Sequence, residues 1–173
     1  MKNILAKNEG KVRVVLKHMV VHPQQVTAAH LAACAAAKQG KFAQFYSAFW
    51  DKGFGPYRDS GGKEQASLGP ENVKKIAGEL GLDTAKLEAD MAPCQQVIQQ
   101  DEAELRKFKV SGTPAFFING QFIGGGIPEE AFQKVIDEKL KIAEASGVPG
   151  KEYYDKEILG KGEKEVVRRR PGR

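Results

Sequence analysis

Two short apolar runs joined by Asn119-Gly120 constrain the fold of this chain more than any other stretch. The first run, Pro-Ala-Phe-Phe-Ile, covers residues 114–118, and the second, Gln-Phe-Ile, covers residues 121–123. A type I′ turn needs positive φ angles at both central residues, which asparagine and glycine adopt easily. Proline cannot donate to a sheet ladder, so Pro114 belongs at a strand's first residue or outer edge. The sequence therefore predicts a β-hairpin here.

A further strand is predicted well before this hairpin. Residues 11–21, KVRVVLKHMVV, are rich in β-branched side chains and long enough for a buried strand. Because a single strand leaves its backbone unpaired, we expect it to join the hairpin in one small sheet. The sequence between them is helical in pattern, which makes the predicted fold class α/β with a helical excursion between the strands.

Proline and acidic residues mark two of the helix starts. His22-Pro23 opens one helix, and Pro128 opens another whose first turn carries two glutamates, which suit the positive end of a helix dipole. The predicted helices cover residues 1–8, 23–39, 42–50, about 70–80, about 83–91, about 93–107, 128–145 and 151–159. The aromatic residues of 42–50 are assigned to the core. The glycine-rich residues 53–69 show no period and are predicted to be a mobile loop.

Composition limits the class of protein and its partners. A chain of 173 residues with 41% hydrophobic and 28% charged residues is typical of one soluble globular domain. No apolar run is long enough for a membrane span, and MKNILAKNEG lacks the apolar core of a secretory signal. The net charge is +5, but lysines and acids are interleaved, so we expect no nucleic-acid partner. Arg168, Arg169, Arg170 and Arg173 are interpreted as a disordered basic tail; binding of nucleic acid or an anionic surface by it is a third functional hypothesis.

Three stretches resemble one known family. They are VRVVLKHMVVHP (12–23), HLAACAAAKQGKF (30–42) and SGTPAFFINGQFIGGGIPEEAF (111–132). Their order resembles the DsbA-like thiol–disulfide oxidoreductases, which have a thioredoxin fold with a helical domain inserted between the second strand and the hairpin. The resemblance implies a thioredoxin-like part in residues 1–22 and 108–145 and an inserted helical domain in 23–107. Residues 146–173 would be an extension with a short helix and the basic tail.

The resemblance also gives Pro114 a role. In that family the proline after threonine is cis and lies beside the active-site cysteines, so Pro114 would be cis and Thr113 would present its backbone to a bound peptide or disulfide partner. The alternative is an ordinary trans proline at a strand edge.

The family's chemistry needs a Cys-x-x-Cys at the start of its first helix, where the helix N-terminus lowers the pKa of the first thiol. This sequence has two cysteines, Cys34 and Cys94, and no such motif. Since residues 1–8 resemble the tail of that helix, we expect the first strand and the catalytic turn to lie upstream. As written, the chain is an incomplete thioredoxin-like fold and is predicted to be inactive.

Three interpretations of Cys34 and Cys94 remain open. They are two inert buried thiols, a structural disulfide between two helices, or a reactive redox pair. The resemblance favours the disulfide, because similar proteins carry a cysteine at each matching place. A structural disulfide would imply an oxidising compartment.

Other candidate sites fail on spacing. His18, His22 and His30 are considered as metal ligands, but His18 and His22 straddle a strand end and a proline, so their side chains need not converge, and no cysteine or carboxylate set completes a site. We therefore interpret them as hydrogen-bonded or solvated histidines and expect no metal. Gly124-Gly125-Gly126 precedes a helix but lacks the rest of a phosphate-binding motif, so a hairpin exit explains it better. We expect no cofactor.

Two functional hypotheses follow. In the first, the full-length protein oxidises or shuffles protein thiols, and Thr113 and Pro114 shape a groove for a cysteine-containing protein. In the second, the chain is a non-catalytic thioredoxin-fold module that holds an extended peptide. The resemblance implies the periplasm or cell envelope if a signal-bearing N-terminus precedes Met1, and a chain complete as written would be cytoplasmic.

Overall fold

The computed structural model describes residues 2–166, so Met1 and the predicted basic tail, Arg168 to Arg173, lie outside the described residues. Within them the chain is mostly helical, with one small antiparallel sheet. The helices are α1 (Lys2–Lys7), α2 (Pro23–Lys38), α3 (Phe42–Phe49), α4 (Gly55–Asp59), α5 (Pro70–Glu79), α6 (Thr84–Lys107), α7 (Glu129–Ala145) and α8 (Gly150–Tyr153). The strands are β1 (Ala115–Ile118) and β2 (Gln121–Gly124), and shorter helical turns cover Trp50–Phe54, Gln65–Leu68 and Tyr154–Leu159.

The chain forms two compact units. The first combines the residues up to 16 with those from 105 onward, and the second is residues 17–104. In the first unit, a small core joins α1, the hairpin and α7 through Ile4, Phe116 and Phe132. The rings of Phe116 and Phe132 meet edge to face, with their centroids 4.9 Å apart.

The core of the second unit is built around α2. Five of the six buried side chains on this helix are alanines. Their single methyl groups allow neighbouring helices to approach closely. Phe45, Ile76 and Leu87 pack against them from α3, α5 and α6. Ala32, Ala35 and Ala36 are fully buried, so α2 is covered on more than one side.

Local start signals placed several elements correctly. His22 precedes α2, which begins at Pro23, and Pro128 precedes α7. Asn119 and Gly120 have φ angles of 43° and 86°, and they join β1 to β2 as a two-residue hairpin turn. These signals act over a few residues, so tertiary packing does not override them.

The predicted strand over residues 11–21 is wrong. Residues 12–20 belong to no helix and no ladder, and the sheet formed by the described residues has two strands, β1 and β2. A strand exists only beside a paired neighbour, and β-branched composition cannot supply one. Two of its backbone N–H groups bind carboxylates instead: His18 donates to Asp101 and Val20 donates to Glu102.

The predicted mobile loop over residues 53–69 is also wrong. The stretch contains α4 and parts of two further helical turns, and Gly53 and Gly55 are buried. A Cβ added at Gly53 would lie 2.6 Å from the Phe49 ring, so glycine is there for close packing. Ser67 donates to the Gly53 carbonyl, which fastens the two ends of the stretch to each other.

The predicted helix break near residue 93 is wrong as well, because α6 continues through Pro93. Proline removes one hydrogen bond from the helix interior. Leu87 before it and Cys94 and Ile98 after it are buried, and this packing holds both halves in one helix.

The aromatic residues at 42–50 are only partly core. Phe45 is buried, whereas Tyr46 and Trp50 are exposed and contact each other edge to face. The predicted helix over these residues is confirmed, but the aromatic side chains extend beyond its buried face.

Candidate functional site

The loop before β1 presents an exposed backbone. Ser111, Gly112, Thr113 and Pro114 are all exposed, and the Thr113–Pro114 peptide bond is cis, the isomer that the resemblance implies. The Pro114 carbonyl accepts a hydrogen bond of 2.8 Å from the Gly125 N–H, which closes the open end of the hairpin. Within residues 2–166, the Thr113 backbone N–H and carbonyl make no hydrogen bond.

The hairpin has one partly buried face and one exposed aromatic face. Phe117 lies directly opposite Phe122, and their ring centroids are 5.1 Å apart. Phe108 contacts Phe117 from the chain just before the loop, at 5.4 Å between centroids. Phe122 is 51% exposed, so this outer face offers apolar surface to a partner.

Residues 12–16 of the same unit belong to neither a helix nor a strand. Val12 packs into the small core, and the Arg13 guanidinium lies 4.5 Å from the centre of the Tyr154 ring. Val14, Val15 and Leu16 are exposed, Val15 by 55%. Among the described residues, no hydrogen bond uses the backbone of 13–16. Such a backbone can pair with another strand.

The two cysteines are joined. Cys34 on α2 and Cys94 on α6 form a disulfide whose Cα atoms are 5.9 Å apart. Cys94 is fully buried, and no cysteine of the chain is free. One helical turn along, the Lys38 ammonium binds the Asp90 carboxylate at 3.1 Å, so the two helices are connected at successive turns. Of the three interpretations that the sequence left open, the structure has the disulfide.

Two of the three histidines meet. The Nδ1 atoms of His18 and His30 are 3.1 Å apart. His18 lies in the segment that precedes α2, and His30 lies on α2. Burial lowers the pKa of His18, against the attraction of Asp101. Burial, together with the neighbouring His18, lowers the pKa of His30 to about 4, against the attraction of Glu102. His22 stands before α2 and makes no side-chain cap hydrogen bond.

This contact joins His30 on α2 to His18, which precedes the helix, so the periodic pattern of a single element does not predict it. Within the part of the chain that the structure describes, no group of three or more histidine, cysteine or acidic side chains is placed to hold a metal ion. The Gly125 N–H is used by Pro114, and Gly125 has a φ of 79°, so these glycines turn the chain from the hairpin towards α7.

Comparison with known proteins found a matching family model and a matching curated protein. The family model described as "DSBA-like thioredoxin domain" matches residues 1–137. Among curated proteins, the Na(+)/H(+) antiporter NhaA of Herminiimonas arsenicoxydans is 30% identical over 141 residues, which make up 80% of this chain and 20% of the antiporter. The chain thus spans about a fifth of that relative's length. No solved structure matches. None of the helices within residues 2–166 has the length and apolar character needed to cross a membrane.

Proposed function

Because this chain belongs to the family of DSBA-like thioredoxin domains, we propose that it serves protein thiol–disulfide exchange as the part that binds the partner protein. The observation that carries the proposal is the exposed, unpaired backbone of Thr113 at the start of the hairpin. An extended peptide adds to such a backbone through main-chain hydrogen bonds, which are independent of its sequence. The partner is therefore an extended segment of a cysteine-containing protein.

The exposed aromatic face supports the same proposal. Phe117 and Phe122 offer apolar surface on the hairpin that follows Thr113. A bound strand places alternate side chains on one side, so apolar residues near the partner's cysteine would contact these rings. The contact with the two rings would add to the binding affinity. The hydrogen bonds to the Thr113 backbone would fix the position of the peptide along the hairpin.

The division of the chain is proposed on the same family basis. Residues 1–22 and 108–145 form the thioredoxin-like part, 23–107 an inserted helical domain, and 146–173 an extension. Helices α2 to α6 fall within 23–107, which supports the insertion. The free backbone of 13–16 supports an incomplete sheet, because a neighbouring strand would pair there.

The chain as written is proposed to lack exchange activity of its own. The family's chemistry needs a thiolate with a second cysteine to resolve the mixed disulfide. Both cysteines of this sequence are taken up in one disulfide on two helices, and neither belongs to a Cys-x-x-Cys. Thiol oxidation by the purified chain should not exceed the uncatalysed background. Turnover that disappears in a Cys34→Ala/Cys94→Ala variant would overturn this part of the proposal.

A second candidate is a non-catalytic module that holds extended peptides. The match to a fifth of an antiporter favours it, since a domain shared among proteins of different activities can serve binding alone. The two candidates differ in what they bind. An exchange component prefers cysteine-containing peptides, whereas a general module binds their serine analogues equally well.

The experiment that tests peptide binding blocks the loop without disturbing the chain. Gly112 has no atom within 4 Å of a built Cβ and no positive φ, so Gly112→Leu fits the fold while filling the space beside Thr113. Gly150 meets the same conditions at the start of α8, so Gly150→Leu is the matched control.

Binding is measured by fluorescence anisotropy with a labelled extended peptide that contains one cysteine. We expect Gly112→Leu to weaken binding by about tenfold or more, and Gly150→Leu to bind like the parent chain. Equal binding by all three proteins would show that the peptide does not use this loop.

A further inference from the structure

His18 and His30 are held together by a hydrogen bond that two charged rings cannot make. Their Nδ1 atoms are 3.1 Å apart, and their ring planes are inclined at 70°. One Nδ1 must donate and the other must accept, so at least one imidazole is neutral. His18 is only 6% exposed, so water does little to screen a second positive charge.

The segment over residues 17–21 is held by α6 through its backbone and by α2 through a side chain. From α6, Asp101 accepts the His18 backbone N–H at 2.9 Å, and Glu102 accepts the Val20 N–H at 3.2 Å. From α2, His30 holds the His18 side chain. The segment is therefore fixed through its backbone on α6 and through one ring on α2.

The charges that face the pair permit one proton but not two. Asp101 favours a charge on His18 and Glu102 favours one on His30. The Lys17 ammonium binds Asp101 at 3.0 Å and Glu104 at 2.9 Å, so it neutralises part of the negative charge near the pair. A second imidazolium would face the first across a hydrogen bond that has lost its acceptor.

We propose that the His18–His30 pair is an acid-sensitive latch, closed at neutral pH, whose double protonation frees the His18 ring from α2 and loosens the segment over residues 17–21. The segment leads directly into α2, so the latch sets how firmly residues 17–21 are held against α2 and α6. The proposal does not depend on the proposed function.

The direction of the pH effect follows from linkage. The pKa of His30 is lowered to about 4, below its ordinary value of 6.5. Between these values the opened segment binds more protons than the closed one, so acid favours opening. The latch is closed above this window and opens progressively as the pH falls through it.

The first test uses the unmodified chain. An NMR titration follows the ring protons of His18 and His30. We expect a pKa of about 4 for His30, and for His18 a pKa below the ordinary histidine value of 6.5. A pKa of His30 at or above 6.5 would overturn the proposal.

The second test separates the histidines from the carboxylates. His30→Gln keeps hydrogen-bonding groups but cannot be protonated, and His22→Gln removes a histidine outside the pair. Amide hydrogen exchange of His18 and Val20 is compared at about pH 7 and about pH 4.5, with intrinsic rates removed.

The parent chain and His22→Gln should lose about tenfold or more in protection on acidification, and His30→Gln less than about threefold. An equal loss in His30→Gln would show that the segment opens on acidification without protonation of His30, which would overturn the latch. If His30→Gln does not fold, the titration decides.

Discussion

Asn8 and Gln133 exchange two side-chain amide hydrogen bonds, one in each direction, across 125 positions of sequence. Asn8 Nδ2 donates to Gln133 Oε1 at 2.8 Å, and Gln133 Nε2 donates to Asn8 Oδ1 at 2.9 Å. Asn8 is buried, and its Nδ2 also donates to the Ile4 carbonyl. Because every polar atom of this buried amide is satisfied, the pair fixes the end of α1 against α7.

Replacing Gln133 with methionine should therefore destabilise the chain. Gln133→Met keeps the size of the side chain but leaves Asn8 Oδ1 without its donor, and an unsatisfied buried polar group costs about 1–3 kcal/mol. Urea denaturation followed by circular dichroism measures the loss. Gln96→Met, at an exposed position on α6, is the matched control and should change the free energy of unfolding by less than about 0.5 kcal/mol. Equal stabilities for the two variants would contradict this role of the pair.

The Cys34–Cys94 disulfide should supply a large share of the stability of residues 17–104. It closes a loop with a sequence separation of 60, and the entropy lost by the unfolded chain corresponds to about 4 kcal/mol. We expect Cys34→Ala/Cys94→Ala to lower the free energy of unfolding by roughly this amount. Urea denaturation with and without reductant checks it.

The reductant supplies the control for this prediction. It should lower the stability of the parent chain towards that of the double variant, and it should leave the double variant unchanged. A parent chain that is equally stable with its disulfide demonstrably reduced would show that packing, including the Lys38–Asp90 pair, holds α2 and α6 together without the bond.

Local signals predicted the elements that local physics decides. Asn119-Gly120 gave the hairpin, and Pro23 and Pro128 gave two helix starts, because turn geometry and helix capping involve only a few neighbouring residues. The family motifs around Thr113 and Pro114 located the exposed loop. These predictions needed no knowledge of what packs against them.

The failures share a dependence on partners that the local pattern does not name. Residues 11–21 have strand composition, but Asp101 and Glu102, more than 80 positions away, take two of the backbone donors. The glycines of residues 53–69 predict mobility, but Gly53 packs against the nearby Phe49 ring and its carbonyl accepts a hydrogen bond from Ser67. Such partners are set by the fold, so a pattern read along the chain cannot name them.

Pro93 lacks the backbone N–H that the interior of a helix uses, although α6 continues through it. Replacing this proline should therefore stabilise the chain. Pro93→Ala restores an N–H within the helix, which is worth up to about 3 kcal/mol, while the unfolded chain regains about 0.4–1 kcal/mol of entropy. We expect a net gain of about 1–2 kcal/mol by thermal and urea unfolding. Pro70→Ala is the control, because Pro70 occupies the first position of α5, where no intrahelical donor is needed, and this change should not stabilise. A Pro93→Ala variant no more stable than the parent would mean that the helix has already adapted to the missing donor.

The hairpin turn depends on backbone conformation at Gly120 and not on space around it. Gly120 has a φ of 86°, and a built Cβ meets no atom within 4 Å. Gly120→Ala should therefore cost about 1–2 kcal/mol through the left-handed conformation alone. Gly126→Ala has equally open space but no positive φ, so it should be neutral or slightly stabilising. Urea unfolding compares the two variants, and hydrogen exchange at the Phe116 and Ile123 amides, which form a hydrogen-bonded pair of the ladder, reports the hairpin directly. Equal effects from the two substitutions would show that the turn tolerates a side chain at residue 120, and the hairpin would then be held by the packing of Phe116 on Phe132.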